Sequence, residues 1–457
     1  MTIMPEEQGI DNTISKRFSS FMKRFKVNNI LKSVGATKEK GISVSALFTF
    51  LLGLVFTRKN LYETMTSNRE KPSFSKNVVY SFLASTAINW EVFVRRLCVA
   101  AIPEVNKLTR QARRTALILD DTPYWRNRSK KVEMLSRCYD HSEDKYYKGF
   151  TMLNLGWSDG QTFMPVDFRL LASGKDENLL EGSHVKQDKR TIATKRREQA
   201  RSEKPALALQ MLGDAKGTSA QTQYVLFDSW FASPSFILSV KALGYDVVAR
   251  LKNHENYRYL YKGEKLSLSQ IYKANKKRRG RSRYLLCVTV EVRHEDFENT
   301  VRAKIVFVRD RANRKKWIAL ISTNIALDEN EVIALYGKRW DIEPFHKVLK
   351  STLHLTKEFQ LRSFDAIVAH TAIVLARYIF LSLENRENKD DRSIGGLFLF
   401  ICEELEDISF QYVFALLLTV LEQALENHSG IAKEHIDMIV EYFIAALPSW
   451  IRDRLVA

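Results

Sequence analysis

Hydrophobic and polar positions follow different periods along the chain. In roughly the first and last hundred residues, apolar side chains return every three or four positions, the helical period. Residues 15–25 mix Lys and Arg with Phe at that spacing, and 44–56 is apolar enough for a buried helix. Residues 74–82, which follow Pro72, and 92–103 read as two more helices. The middle of the chain behaves differently. Thr115-Ala-Leu-Ile-Leu-Asp120-Asp121-Thr122 reads as a buried strand ending in two carboxylates. Residues 149–157 and 163–171 read as the next strands, joined by Ser158-Asp-Gly-Gln. A charged, helix-prone segment covers 186–212. Tyr224-Val-Leu-Phe-Asp228 is a second apolar strand ending in an acid, and Pro234 opens a helix after Ser229-Trp-Phe-Ala-Ser233. Further strands fall at 245–251, 284–292, 301–309 and 317–323. Asp328-Glu-Asn-Glu then starts an amphipathic helix that the pattern carries through Lys350, and 366–383, 395–405, 410–425 and 436–447 are helical.

A chain of 457 residues allows two to four domains and a sizeable core. Lys and Arg number 71 against 53 Asp and Glu, a net charge of +18, which points to a polyanion such as nucleic acid. A membrane surface is the competing partner. The apolar runs 44–56 and 410–421 are shorter than the ~20 residues that span a bilayer. Glu6 and Glu7 precede any apolar run, against a secretory signal. Cys98, Cys138, Cys287 and Cys402 show no Cys-x-x-Cys spacing, which argues for a reducing cytoplasm and against zinc.

Tyr336, Arg339, Glu343 and Lys350 are spaced three, four and seven apart, one stripe of a helix. Such a stripe is either a solvated face of salt bridges or a metal-binding carboxylate between cations that hold a phosphodiester. The spacing Tyr-x2-Arg-x3-Glu-x6-Lys, with Arg339-Trp-Asp-Ile-Glu343-Pro-Phe-His-Lys inside it, resembles the signature of bacterial insertion-sequence transposases of the DDE class. Those relatives cut and paste through DNA hairpins. The resemblance spans about residues 115–383.

It implies an α/β protein: an RNase H-like core with a β-rich insertion, flanked by helical N- and C-terminal regions. The expected division is a DNA-end-binding region at 1–110, a core at 111–252 and 326–385, an insertion at 253–325, and a C-terminal region at 386–457 suited to dimerisation. Asp228 and Glu343 would be the second and third acids. The first is Asp120 or Asp121, since neighbours on a strand face opposite ways. The resemblance favours Asp121, which directly precedes Thr122 as the matching acid does in the hairpin-forming relatives, while related sequences with Asp-x-Thr would favour Asp120. Three such carboxylates suit two Mg²⁺ ions roughly 3.5–4 Å apart, with Mn²⁺ able to substitute, one activating the nucleophile and one stabilising the leaving oxygen. Arg339 and Lys350 would bind phosphates, and Tyr336 would stack or hydrogen-bond at the DNA end. Trp317 is either the residue that captures a flipped base in the relatives or a buried strand aromatic. Lys276, Lys277, Arg278 and Arg279 are DNA-backbone contacts or a solvated hairpin tip. Lys195, Arg196 and Arg197 read as a solvated face or a DNA contact, and Lys76 and Asn77 as candidate DNA readers. Pro344 should kink its helix. His346 is left as a surface or DNA contact.

The expected protein binds double-stranded DNA, as element ends and as target, acts as a homodimer on DNA in the cytoplasm, and needs no membrane. It would cleave at the terminal inverted repeats and transfer the strand. An RNase H-like nuclease without strand transfer and a non-catalytic, domesticated DNA-binding protein are the alternatives.

Overall fold

The computed structural model describes residues 13–66, 72–109, 113–140, 143–183, 188, 190–278, 282–310, 313, 316–428, 433–449 and 451–452. Six helices lead: α1 (Thr13–Arg24), α2 (Val27–Ser33), α3 (Val44–Leu54), α4 (Leu61–Thr66), α5 (Lys76–Leu83) and α6 (Trp90–Lys107). Ser43 and Asn89 start α3 and α6 by accepting the N–H of Ala46 and of Val92. Helices α3, α5 and α6 pack on α13 (Phe364–Glu387), which is buried from Phe364 to Leu383. By length and composition α13 could cross a membrane, but its apolar window is wholly inside the fold. Its fully buried Arg377 is neutralised by Glu358 (2.6 and 2.8 Å) and donates to the Leu52 carbonyl (3.0 Å).

Among the described residues, eleven strands form one mixed sheet. They are β1 (Ala116–Trp125), β2 (Ser136–Asp140), β3 (Lys145–Ser158), β4 (Phe163–Leu171), β5 (Tyr224–Phe227), β6 (Asp246–Leu251), β7 (Tyr259–Tyr261), β8 (Glu264–Leu266), β9 (Leu286–Val292), β10 (Val301–Arg309) and β11 (Trp317–Ser322). Strands β1, β5 and β6 run parallel. Strand β3 is antiparallel to β1, and β4 is antiparallel to β3. From β6 the sheet continues through β11, β10, β9, β7 and β8, so the strands within 253–325 extend the same sheet. Strand β4 is buried at every position, because α6, α13, α7 (Ile192–Ala200) and α8 (Lys204–Ala215) all pack on it. Helices α9 (Pro234–Ala242) and α10 (Leu268–Ala274) follow β5 and β8, and α11 (Glu329–Gly337), α12 (Ile342–Ser351), α14 (Ile394–His428) and α15 (Lys433–Ala446) complete the described helices.

Three expectations are corrected. Strand β1 does not end at the acids but runs on to Trp125, because β3 pairs with it from Ala116↔Ser158 to Trp125↔Gly149. The stretch from Asp328 to Lys350 is two helices, not one, joined by a 3₁₀ turn at Lys338–Asp341. Pro344 has no N–H to give the Trp340 carbonyl, so the turn before it tightens while the proline sits in the first turn of α12. Finally, Arg196 and Arg197 are neither solvated nor free for DNA. Arg196 donates to Glu91 (3.1 Å) and pairs with Asp365, while Arg197 pairs with Glu133 (2.8 and 2.9 Å) and Asp365 (2.7 Å), all buried where α7 meets α6 and α13. Lys195 alone of that run is exposed.

Candidate active site

The parallel pairing of β1 with β5 ends at Leu119↔Phe227. One residue further, Asp120, still within β1, and Asp228, just past the end of β5, stand on neighbouring strands where their parallel pairing stops, at the carboxyl end of β5 where open α/β sheets bind ligands. The Asp228 carboxylate accepts the N–H of Trp230 (3.0 Å), which turns the chain out of β5.

Helix α12 carries Glu343. Ile342, Phe345 and Leu349 bury one side of it and leave Glu343 exposed. The Phe163 ring packs on Phe345 (4.7 Å) and lies 2.0 Å from where a Cβ on Gly156 would stand, so only glycine permits this approach. Ser158 donates to Asp341 (2.5 Å), Lys350 Nζ to Thr122 (2.6 Å), and His346 shares a hydrogen bond with Asn154 (3.1 Å). Asn154 stands opposite Asp120 on β3.

Arg339 joins the two sides. Its Nη1 donates to Asp120 (3.2 Å) and its Nη2 to Glu343 (2.9 Å). Tyr336, buried beside Arg339, has its phenol pushed up by that burial. Burial drives the Asp120 carboxyl up to about 7; Arg339 opposes this, while Asp228 and Asp121 add to it. Burial also raises Asp228, and Asp121 contributes. Burial, with Lys350 and Arg339 nearby, keeps His346 neutral, with its pKa lowered. Arg339 Nε and Asn154 Oδ1 are buried without a partner among the described residues.

Of the two adjacent acids, Asp120 accepts from Arg339 and lies near enough to Asp228 for that carboxylate to help raise its own. Asp121, the residue favoured by the sequence, turns to the ammonium of Lys204 on α8 (2.8 Å), and Lys204 lies over the Trp230 ring (4.1 Å). Lys204, Trp230 and Asn154 have no signal in the sequence beyond residue type. Lys204 is 83 residues from Asp121, and only the fold makes them neighbours. Trp125 and Trp340 are also exposed at this site, beneath Lys350 (4.9 Å) and Arg339 (4.7 Å).

Other expected site residues lie further out. Trp317 is half-buried, stacked on Tyr272 (5.1 Å, 26°) with its edge region against Phe307 (5.0 Å). Lys276, Lys277 and Arg278 precede β9, with Lys277 over Tyr272 (4.6 Å) and Arg278 over Tyr284 (4.3 Å). The register Leu251↔Ala319, Phe307↔Ala319 and Phe307↔Leu286 puts this run at the same sheet end as the acids, four strand spacings from β5, or about 19 Å. Arg279 lies outside the described residues. Lys76 and Asn77 are exposed at the start of α5, lining a cleft of about 680 Å³ with Tyr62, Lys357 and Gln360.

The chain matches the family model of the DDE superfamily endonucleases over residues 48–315. It belongs to that family. The matched span contains Asp120, Asp121 and Asp228 and ends before Glu343. No curated protein matches the chain. In this DDE superfamily endonuclease, no group of three His, Cys, Asp or Glu side chains among the described residues is close enough to hold a metal ion, and Arg339 stands between Asp120 and Glu343.

Proposed function

We propose that this protein is a DNA transposase that cleaves the ends of an insertion element and joins them to target DNA. One observation carries the reading: Asp120 and Asp228 stand on adjacent strands just where their parallel pairing stops, and Arg339, in the turn before α12, ties Asp120 to Glu343. The strand order β4-β3-β1-β5-β6, with β3 alone antiparallel to both its neighbours, supports an RNase H-like core. We take Asp120, rather than Asp121, as the first acid.

The donor set suits divalent cations. Its oxygens are hard ligands of the kind Mg²⁺ prefers, and burial, with neighbouring carboxylates adding to it, raises Asp120 and Asp228 above the usual carboxylate range. Asp120 and Asp228 would hold the ions, joined by Glu343 once Arg339 turns to a DNA phosphate. Bound ions would supply the Lewis acid that activates water or a hydroxyl and stabilises the leaving oxygen. The residues do the rest. Arg339 offers a planar fork to the phosphate, Lys350 a point charge from the Thr122 side, and Tyr336 fixes the direction of Arg339. Lys276, Lys277 and Arg278, about 19 Å away along the sheet, suit the backbone about six base pairs on. Exposed Leu417, Val420, Met438 and Tyr442 on α14 and α15 offer apolar surface to a second copy on DNA.

The test is an assay of purified protein with Mg²⁺ or Mn²⁺ and a labelled fragment carrying the parent element's end. Cleaved and joined products, lost in Asp228→Ala and Glu343→Ala, are expected. Cleavage without joining would favour a nuclease, and specific binding without cleavage a non-catalytic DNA-binding protein.

A further inference from the structure

The adjacent acids Asp120 and Asp121 point to opposite faces of β1, and the second face carries a group that the acid cluster does not use. Asp121 holds the Lys204 ammonium at 2.8 Å, and both side chains are about three-quarters buried, at 23% and 25% exposure. Lys204 in turn sits 4.1 Å over Trp230, whose indole is 45% exposed two residues after Asp228. Phe231 meets that indole in a T-shaped contact at 4.7 Å, which steadies the ring. Trp90 and Trp157, by contrast, are wholly buried, and Trp317 is stacked within an aromatic cluster. An exposed indole with a lysine already lying on it pairs an aromatic platform with a cation. Stacking recognises the flat face of any base, and an ammonium recognises the phosphate of the same nucleotide.

We propose that Trp230 and Lys204, positioned by Asp121, form a clamp for one unpaired nucleotide of a DNA strand beside the acid cluster, base on the indole and phosphate on the ammonium. This rests on the reading of the protein as a DNA-cutting enzyme. It gives the acid doublet a division of labour: Asp120 belongs to the cutting site, and Asp121 is a positioning residue that keeps Lys204 over the ring until a phosphate replaces the carboxylate as its partner. It also makes the favoured substrate a DNA strand opened at the cut rather than an intact duplex.

The test is fluorescence anisotropy of the full-length protein in EDTA, with a labelled single strand and a duplex of the same sequence, over a salt series. Trp230→Ala should weaken single-strand binding about tenfold while changing duplex binding much less. Trp230→Phe should retain most of the affinity, which separates stacking from misfolding. Lys204→Ala should lower the slope of log K against log salt for the single strand by about 0.7, the loss of one phosphate contact. Single-strand affinities and slopes like wild type in Trp230→Ala and Lys204→Ala would overturn the clamp, as would equal losses on single strand and duplex. Since binding is read without metal, a wild-type protein that binds but never cuts would overturn the nuclease reading and leave the clamp standing.

Discussion

Two clusters of three carboxylates sit on either side of this sheet's chemistry, and they differ by one arginine. Glu91, Glu133 and Asp365 share Arg196 and Arg197, all five buried and paired. Asp120, Asp228 and Glu343 share Arg339. In the first cluster the charge is nearly closed, and Arg197, though burial opposes it, is held more firmly protonated by its partners. In the second, burial leaves Asp120 titrating near 7. A matched cluster ties helices to a sheet. A cluster short of cations keeps affinity for something that arrives from solution.

Substitutions can break this contrast. The largest effect belongs to the short cluster: Asp228→Ala or Asp120→Asn should lower metal-dependent DNA cleavage by at least about 1000-fold, about 4 kcal/mol of transition-state stabilisation. Neither should harm the fold. The folded state raises the Asp120 pKa, so the stability it contributes is full below its ordinary value of 3.8 and lost as pH rises through about 7. At pH 8, therefore, Asp120→Asn should unfold at equal or higher urea than wild type, and a clear drop would put Asp120 among the structural acids. The matched cluster should respond the other way. Arg197→Ala leaves Glu133 and Asp365 short of a partner in the interior and should cost about 3–5 kcal/mol in urea unfolding.

Adding ions sharpens the comparison. Mg²⁺ at a hundred times its dissociation constant should stabilise the wild type by about 2.7 kcal/mol, seen as a rise in melting temperature that Asp228→Ala abolishes. An equal rise in both proteins would locate the ion elsewhere. The smallest effect concerns Glu358, another buried acid with full compensation. Burial pushes its carboxyl up, but Arg377 and His370 hold it down at about 2. Its stabilising contribution is present above its ordinary value of 4.5 and lost as pH falls toward 2. Glu358→Gln should flatten the acid side of the stability profile between those values, measured by urea midpoints at each pH.

The candidate residues could be picked out from residue order because their signals are local. Two strands of apolar residues ending in acids, and four side chains three, four and seven apart, each span less than 16 residues. Periodicity likewise placed most helices and strands. The basic runs could not be told apart in that way. Lys195-Arg196-Arg197 and Lys276-Lys277-Arg278 look alike as sequence, yet two residues of the first are buried against carboxylates more than sixty residues away, while the second lies outside an aromatic cluster. The tryptophans divide similarly: Trp317 is packed and Trp230 open, a difference made by Tyr272 and Phe307 rather than by neighbours in the chain.

The apolar strands, the helices and the cationic stripe thus show in order and spacing alone, since an i, i+4 repeat or an alternating strand needs only its own few residues to declare itself, whereas the acids were grouped through the resemblance to insertion-sequence transposases. Which of Asp120 and Asp121 stands beside Arg339 was decided by the fold. Strand β3 carries β1 past both acids, α12 covers one face and α8 the other, and the arginine that selects Asp120 lies 219 residues away. Contacts over that distance are made by packing, and no local pattern in the chain encodes them.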